Sequence, residues 1–412
     1  MVPNGWDKYT GSDITSKITK GSSPKWQGFD YQKDGTLFVT SENVRDGFLD
    51  VSKPKYLPLE FNIKLKNSQL KKGDILINIV GASIGRSCKY NLDSTQANIN
   101  QAVCLFRTNE LVESDYIYQY LQSENTINRL LGTQTESARP NLSLTDMRDF
   151  IFAIPPLPEQ QKIAKILSTW DKAISTTKRL IGNSTQQKKA LMQQLLTGKK
   201  RLLDDNGERF AGEWEERAVS SLGKIYSGGT PSTSNTGYWD GDINWITPTD
   251  ITKQDSRYIN SSLRKITLEG LENSSAKLVP AGSLLICTRA TIGAMAITSH
   301  EMCTNQGFKN IVPNSKTNIE FVYYLLTYNK HRMISKASGS TFLELSKTSF
   351  ESMKFNMPAI KEQKKIATVL TNVDKEIELL EQQLADLQQE KKALMQVLLT
   401  GKKRVLVDGE VL

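Results

Sequence analysis

Between Glu159 and Thr197, apolar residues recur in steps of four and three: Ile163, Leu167, Trp170, Ile174, Ile181, Leu191 and Leu195. Thr177, Ser184 and Lys188 fill the remaining rungs. A second ladder follows the same rule through Ile366, Leu370, Val373, Ile377, Leu380, Leu384, Leu387, Leu394 and Leu398, broken only at Lys391. A sustained period of 3.5 predicts long helices whose seams pair with each other, a coiled coil, rather than helices immersed in a globular core. Pro155-Pro156-Leu157-Pro158 opens the first helix as a stiff hinge, and Thr197-Gly198 and Thr400-Gly401 stop the two helices. Lys188 and Lys391 share one rung. Each either sets the register of the seam or marks its end, with the lysine solvated.

Upstream of each ladder the pattern changes. Short apolar runs at Thr36–Val39, Asp74–Val80 and Ala102–Phe106 read as strands, separated by glycine turns at Lys71–Asp74 and Gly81–Arg86. Tyr116, Ile117, Tyr120, Leu121, Ile127 and Leu130 fall at helical spacing, Gly132–Asn141 reads as a surface loop, and Phe150–Ile154 closes the segment. Residues 214–357 repeat this mixed α/β pattern loosely. Leu278–Ile286 answers Leu70–Ile77, Ala290–Gly293 answers Ala82–Gly85, Asn305-Gln306 answers Asn100-Gln101, and Glu344-Leu345-Ser346 stands where Asn141-Leu142-Ser143 does.

The ladders repeat far more closely. Lys188–Arg201 returns as Lys391–Arg404, 203 residues later, with Gln194 to Val397 the one change in fourteen positions. The chain is therefore expected to be two similar modules in tandem: an α/β domain over 1–154, a coiled-coil helix over 155–203, a second domain over 204–357 and a second helix over 358–412. The two helices pair most economically antiparallel, which gives a pseudo-two-fold arrangement with a domain at either end. A helix of about 39 residues spans roughly 58 Å and would act as a ruler between two related surfaces.

The chain has 412 residues, 24% of them charged, and a net charge of +9. Such a balance suits a polyanionic partner, although many soluble proteins are mildly basic. A two-fold ruler carrying basic modules matches duplex DNA, whose strands are themselves related by two-fold axes. No apolar run is long enough to span a membrane and the start resembles no signal peptide, so a cytoplasmic location is expected. Cys88, Cys104, Cys287 and Cys303 fit no zinc spacing, with only His300 and His331 to help, and are expected to be buried reduced thiols. No phosphate-binding loop, dinucleotide fingerprint or Asn-Pro-Pro-aromatic methyltransferase signature is present, so catalysis by this chain alone is not expected.

Pro155–Ala164, the Leu-Leu-Thr-Gly-Lys-Lys endings of both helices, Ser227-Gly228-Gly229-Thr230-Pro231-Ser232 and Tyr238–Ile246 resemble the repeated regions of type I restriction–modification specificity subunits. Ile18–Trp26 is the counterpart in the first module, which lacks the Tyr-Trp segment and carries Phe38–Val44 instead. The resemblance implies a non-catalytic subunit that reads double-stranded DNA through two target-recognition domains, each taking half of a bipartite asymmetric site. It implies two methyltransferase subunits as partners and two translocase–nuclease subunits in the full complex. It also implies no cofactor in this chain, with S-adenosylmethionine, ATP and Mg2+ on those partners. A coiled-coil scaffold that organises proteins without reading bases is the alternative.

The candidate contacts lie in polar loops. Arg86, Arg139 and Arg289 suit bidentate contacts to guanine or phosphate, and the amides of Asn100, Gln101, Asn305 and Gln306 suit adenine edges or, alternatively, cap strand ends. Ser22, Ser23, Lys25, Thr230, Ser232 and Thr233 suit phosphate, or form a plain turn, with Pro24 and Pro231 fixing its shape. Tyr238 and Trp239 either pack under the DNA-facing loop or belong to the core. Thr40, Ser41, Asn43, Ser83, Thr247, Thr249, Thr291 and Lys309 complete the set. The Gly-Lys-Lys-Arg endings touch phosphate, dock the methyltransferase or are solvated charge clusters at the helix ends.

Overall fold

A computed structural model describes residues 3–93, 95–132, 141–254, 256–339 and 343–407. The two ladders form single helices of equal length, the central helix Leu157–Leu195 and the C-terminal helix Ile360–Leu398, each of 39 residues. Every rung of both seams is buried or half-buried, the hydroxyl rungs Thr177 and Ser184 included. Gly198 and Gly401 end the helices in the left-handed region, with φ of 70° and 66°.

The chain packs as two compact units that cut across its covalent order: Met1–Arg179 with Glu381–Leu412, and Leu180–Leu380. Each α/β module keeps the first half of the helix that follows it and takes in the last half of the other helix. In the first unit Ile163, Ala164 and Leu167 share a core with Leu398 and Leu399. In the second, Ile366, Ala367 and Leu370 share one with Met192, Leu195 and Leu196. The start of one helix meets the end of the other in both units, so the pairing is antiparallel.

Ion pairs fasten these contacts in two equivalent sets. Arg404 grips Glu159 through Nε and Nη2, at 2.7 Å each, and Arg201 grips Glu362 in the same way, at 2.6 Å each. Lys391 meets Asp171 at 2.6 Å and Lys188 meets Asp374 at 2.5 Å. The shared rung is therefore no solvated end of the ladder. A lysine inside an apolar seam is sustained here by a carboxylate on the facing helix. Nor is the arginine of either Gly-Lys-Lys-Arg ending part of a solvated cluster, because its carboxylate partner is 2–3% exposed.

The modules differ in detail around one plan. The first holds an antiparallel four-stranded sheet in the order Thr15–Lys20, Val103–Thr108, Ile75–Asn78, Ser87–Lys89. Beside it runs a three-stranded sheet, Tyr56–Leu57, Thr36–Val39, Ala97–Ile99, whose last two strands are parallel. The second module has five strands, Gly223–Ser227, Phe308–Pro313, Leu284–Cys287, Met295–Thr298, Tyr258–Ile259, and three, Lys265–Ile266, Trp239–Ile246, Cys303–Thr304. A two-stranded ribbon leads into each long helix: Asp7–Thr10 with Ile151–Ile154, and Glu215–Ala218 with Lys354–Met357. The helical stretch after Asp115 is divided into Ser114–Gln122 and Glu124–Gly132 at Ser123, whose extended backbone (φ −67°, ψ 139°) breaks the first helix. Its hydroxyl then accepts the Thr126 N–H.

Candidate nucleic-acid interface

In each module two candidate groups far apart in sequence are brought together. The Gly21-Ser22-Ser23-Pro24 loop crosses the Asn100-Gln101 turn so closely that a Cβ on Gly21 would stand 1.6 Å from the Ile99 carbonyl oxygen. In the second module a Cβ on Gly228 would stand 1.8 Å from the Asn305 carbonyl oxygen. Side chains are excluded from such crossings, which is the physical reason for glycine there. Gly21 N–H donates to Asn100 O at 3.1 Å and Gly229 N–H to Thr304 O at 2.9 Å, while the Thr230 hydroxyl donates to Gln306 Oε1. Pro24 and Pro231 are buried under these loops, whereas Lys25, Ser232 and Thr233 are exposed and Ser22, Ser23 and Thr230 half-buried.

The repeated amides do one structural task in both modules. Asn100 Oδ1 accepts the Ala102 N–H at 3.1 Å, and Asn305 Oδ1 accepts the Gly307 N–H at 2.9 Å. Gln101 is half-buried and Gln306 exposed beside them.

The strands that support these turns end alike. Asn100 N–H donates to Val39 O and Asn305 N–H to Ile246 O, both at 3.0 Å. After Val39, the N–H and hydroxyl of Thr40 donate to Asn43 Oδ1 at 2.8 and 2.9 Å. After Ile246, those of Thr247 donate to Asp250 Oδ2 at 2.7 and 2.5 Å. Phe38-Val39-Thr40 is thus the structural counterpart of Trp245-Ile246-Thr247, so the segment missing from the first module by sequence is present in altered form. It also commits the hydroxyl protons of Thr40 and Thr247 and the Asn43 amide to local bonds. Thr249 is exposed on the short helix that follows Thr247.

Asn78 Nδ2 ties Ser41 O to Ser83 Oγ, at 2.9 and 3.1 Å, which draws the loops after Thr40 and after Gly81 together. Arg86 is exposed, with Asp46 3.8 Å away. In the second module Arg289 and Thr291 flank Ala290, a non-glycine residue held at a left-handed φ of 61°, and all three are exposed. Leu142 N–H donates to Ile79 O and Leu345 N–H to Thr288 O, which makes the Asn141 and Glu344 segments equivalent. Tyr238 packs half-buried against the cluster of Trp239, Trp245 and Ile266. Lys309 departs from expectation. It is only 6% exposed, and burial holds its ammonium below the ordinary lysine range, so it offers no surface cation. Arg139 lies outside the described residues.

Trp239 is buried in that cluster and lies under the Ser232 loop, but its partners there escaped the sequence reading. Trp239 and Trp245 meet edge to face at 5.0 Å, and their indole N–H groups donate to Ser232 O at 3.1 Å and Gly229 O at 2.8 Å. The Arg264 guanidinium lies 3.8 Å from the Trp239 ring centroid. Both tryptophans lie on the strand Trp239–Ile246 and Arg264 just precedes its partner Lys265–Ile266, so the contact becomes legible only once the register of that pair is known.

Among the described residues no group of His, Cys, Asp or Glu is placed to hold a metal ion. All four cysteines are buried, and burial pushes each thiol up to about 12. Among the described residues no helix is long and apolar enough to cross a membrane.

Comparison with known proteins follows the same two-module division. The model of the type I restriction modification DNA specificity domain matches twice, over residues 3–182 and 211–389. The chain is 38% identical to the type I restriction enzyme MjaIX specificity subunit of Methanocaldococcus jannaschii over 168 residues, covering 40% of this chain and 39% of that one. It is 24% identical to the MjaVIII specificity subunit of the same organism over 98% of this chain and 94% of that one. It is 22% identical to the HindI specificity subunit of Haemophilus influenzae over 86% and 90%. Among solved structures, a type I restriction–modification S subunit from M. genitalium superposes with a TM-score of 0.58 at 15% identity, over 97% of each chain. A chain from work on the assembly and conformational transition of the type I R-M system gives 0.60 at 16%, over 98% and 100%. With two matched domains that together span most of its length, the chain belongs to the type I restriction–modification specificity subunit family.

Proposed function

We propose that each α/β module reads one part of a bipartite, asymmetric DNA sequence, while the paired helices set the unread spacer and dock two methyltransferase subunits. The chain itself performs no catalysis. It directs an adenine methyltransferase, and with two translocase–nuclease subunits it directs restriction; S-adenosylmethionine, ATP and Mg2+ are bound by those partners. The observation that carries this reading is the loop-on-turn scaffold, built twice with the same glycine crossings and asparagine turns but with different exposed side chains. Lys25 and Trp26 stand on the first loop where Ser232 and Thr233 stand on the second. A shared frame with divergent exposed residues suits two different half-sites.

The test is methylome sequencing of a host expressing this chain with its methyltransferase subunit, against the same host lacking the chain. The expected result is a new methyladenine motif of two short parts around a fixed spacer, one part of which changes when residues 1–154 are exchanged. If the complex forms and is methylation-competent yet no motif depends on this chain, base reading is excluded.

A further inference from the structure

Arginines that stack on aromatic rings are usually held by a second contact, and the described residues follow that habit. Arg129 over Phe150 donates to Ile151 O, and Arg332 over Phe355 donates to Lys354 O. Arg201 near Trp214 grips Glu362, and Arg257 near Tyr324 reaches Asp374. Arg264 differs. Its guanidinium lies 3.8 Å from the Trp239 centroid and 5.7 Å from that of Trp245, and it makes no hydrogen bond or ion pair among the described residues.

Its backbone is fixed as well. Arg264 O accepts the Trp245 N–H at 3.3 Å and the Ser262 hydroxyl, and Leu263 N–H donates to Asp250 Oδ1 at 2.9 Å. Trp239 carries the arginine on its face and donates its indole N–H to the exposed loop at Ser232. The side chain is exposed, pre-oriented and unneutralised, one indole ring away from the loop expected to meet DNA. At 3.8 Å from the ring centroid the guanidinium covers the indole face, and its N–H groups, without a partner among the described residues, suit O6 and N7 of guanine in the major groove.

We infer that Arg264 is a specificity-determining residue of the second module and selects a guanine in its half-site. The inference rests on the base-reading function proposed above. Among its described residues the first module has no equivalent. The ring in the place of Trp245 is Phe38, which stacks edge to face on Phe61 at 5.5 Å, and the nearest cation of that cluster, Lys64 over Phe29, is bonded to Gln27 O. The selection therefore belongs to one half-site only.

The experiment is methylome sequencing of hosts carrying wild-type chain, Arg264→Ala or Arg264→Lys, each with the methyltransferase subunit, with melting curves to establish folding. Expected is a guanine in the second half-site whose discrimination falls by about tenfold or more in both variants, the first half and the spacer unchanged. Arg264→Lys keeps the charge but loses the fork, so a phosphate contact would survive in it and a guanine contact would not. A wild-type motif without guanine in the second half, an unchanged motif in folded variants, or weaker methylation with no base relaxed would each overturn the inference. A wild type with no chain-dependent motif would instead overturn the base-reading function itself.

Discussion

Arg404 closes on Glu159 with two hydrogen bonds of 2.7 Å, joining residues 245 apart in sequence, and its Nη1 donates to Asn4 O at 2.6 Å. Arg201 repeats the grip on Glu362 and donates to Gly212 O at 2.8 Å. Removing one partner strands a buried charge. Arg404→Ala and Arg201→Ala are each expected to cost about 3–5 kcal/mol. Urea melts of the single variants and of Arg404→Ala/Glu159→Ala test this, the double variant being less destabilised than the sum of its singles.

Asp171 and Asp374 hold equivalent places with unequal partners. Asp171, with 41% of its side chain exposed, meets Lys391 and Gln119. Asp374, at 13%, takes Lys188, Arg257 and Tyr324 together. Asp374→Ala is expected to lower stability by about 3 kcal/mol or more, and Asp171→Ala by about 1 kcal/mol. Equal losses in denaturant titrations would contradict the ranking.

The crossings at Gly21 and Gly228 tolerate no side chain. Alanine at either position forces the loop off its turn, at an expected cost of about 1–3 kcal/mol or more. Methylation at the half-site of the altered module should fall while the other half keeps its sequence requirement.

The four buried thiols should be inert while the protein is folded. A thiol pushed from its ordinary value near 9 up to about 12 is ionised to about one part in ten thousand at pH 8. A thiol-reactive dye should therefore label all four only on unfolding. The sign for stability follows. The unfolded chain releases these protons first, so stability is fully present below about pH 9 and is lost as pH rises towards 12. Melts at pH 8 and pH 10 measure the loss.

Much of this architecture is legible in the sequence because periodicity and repetition are global signals. The ladders gave both helices, and the glycine-proline and Asn-Gln pairs marked the loops that meet. What stayed hidden depends on which side chains face each other. Lys188 and Lys391 stand out as lysines in a seam, but nothing in the pattern says that Asp374 and Asp171 face them. Lys309 reads as a surface cation until the register of its strand turns it inward. Thr40 and Thr247 look unrelated, since Phe38 replaces Trp245 and Asn43 replaces Asp250, and their common role lies in the backbone they cap.

The division of both helices between the units bears on the order in which the chain can assemble. The second unit is one continuous stretch, Leu180–Leu380. The first unit needs Leu398, Leu399 and Arg404 to finish its core and its clasp. On the ribosome, the module synthesised first is expected to complete its core only after Leu398 and Leu399 emerge, by which point the whole stretch that builds the second unit has been made. Such an order would be the reverse of the usual one, in which N-terminal domains finish folding first. A chain that stops short of Leu398 would leave the open, apolar start of the central helix as its weakest point.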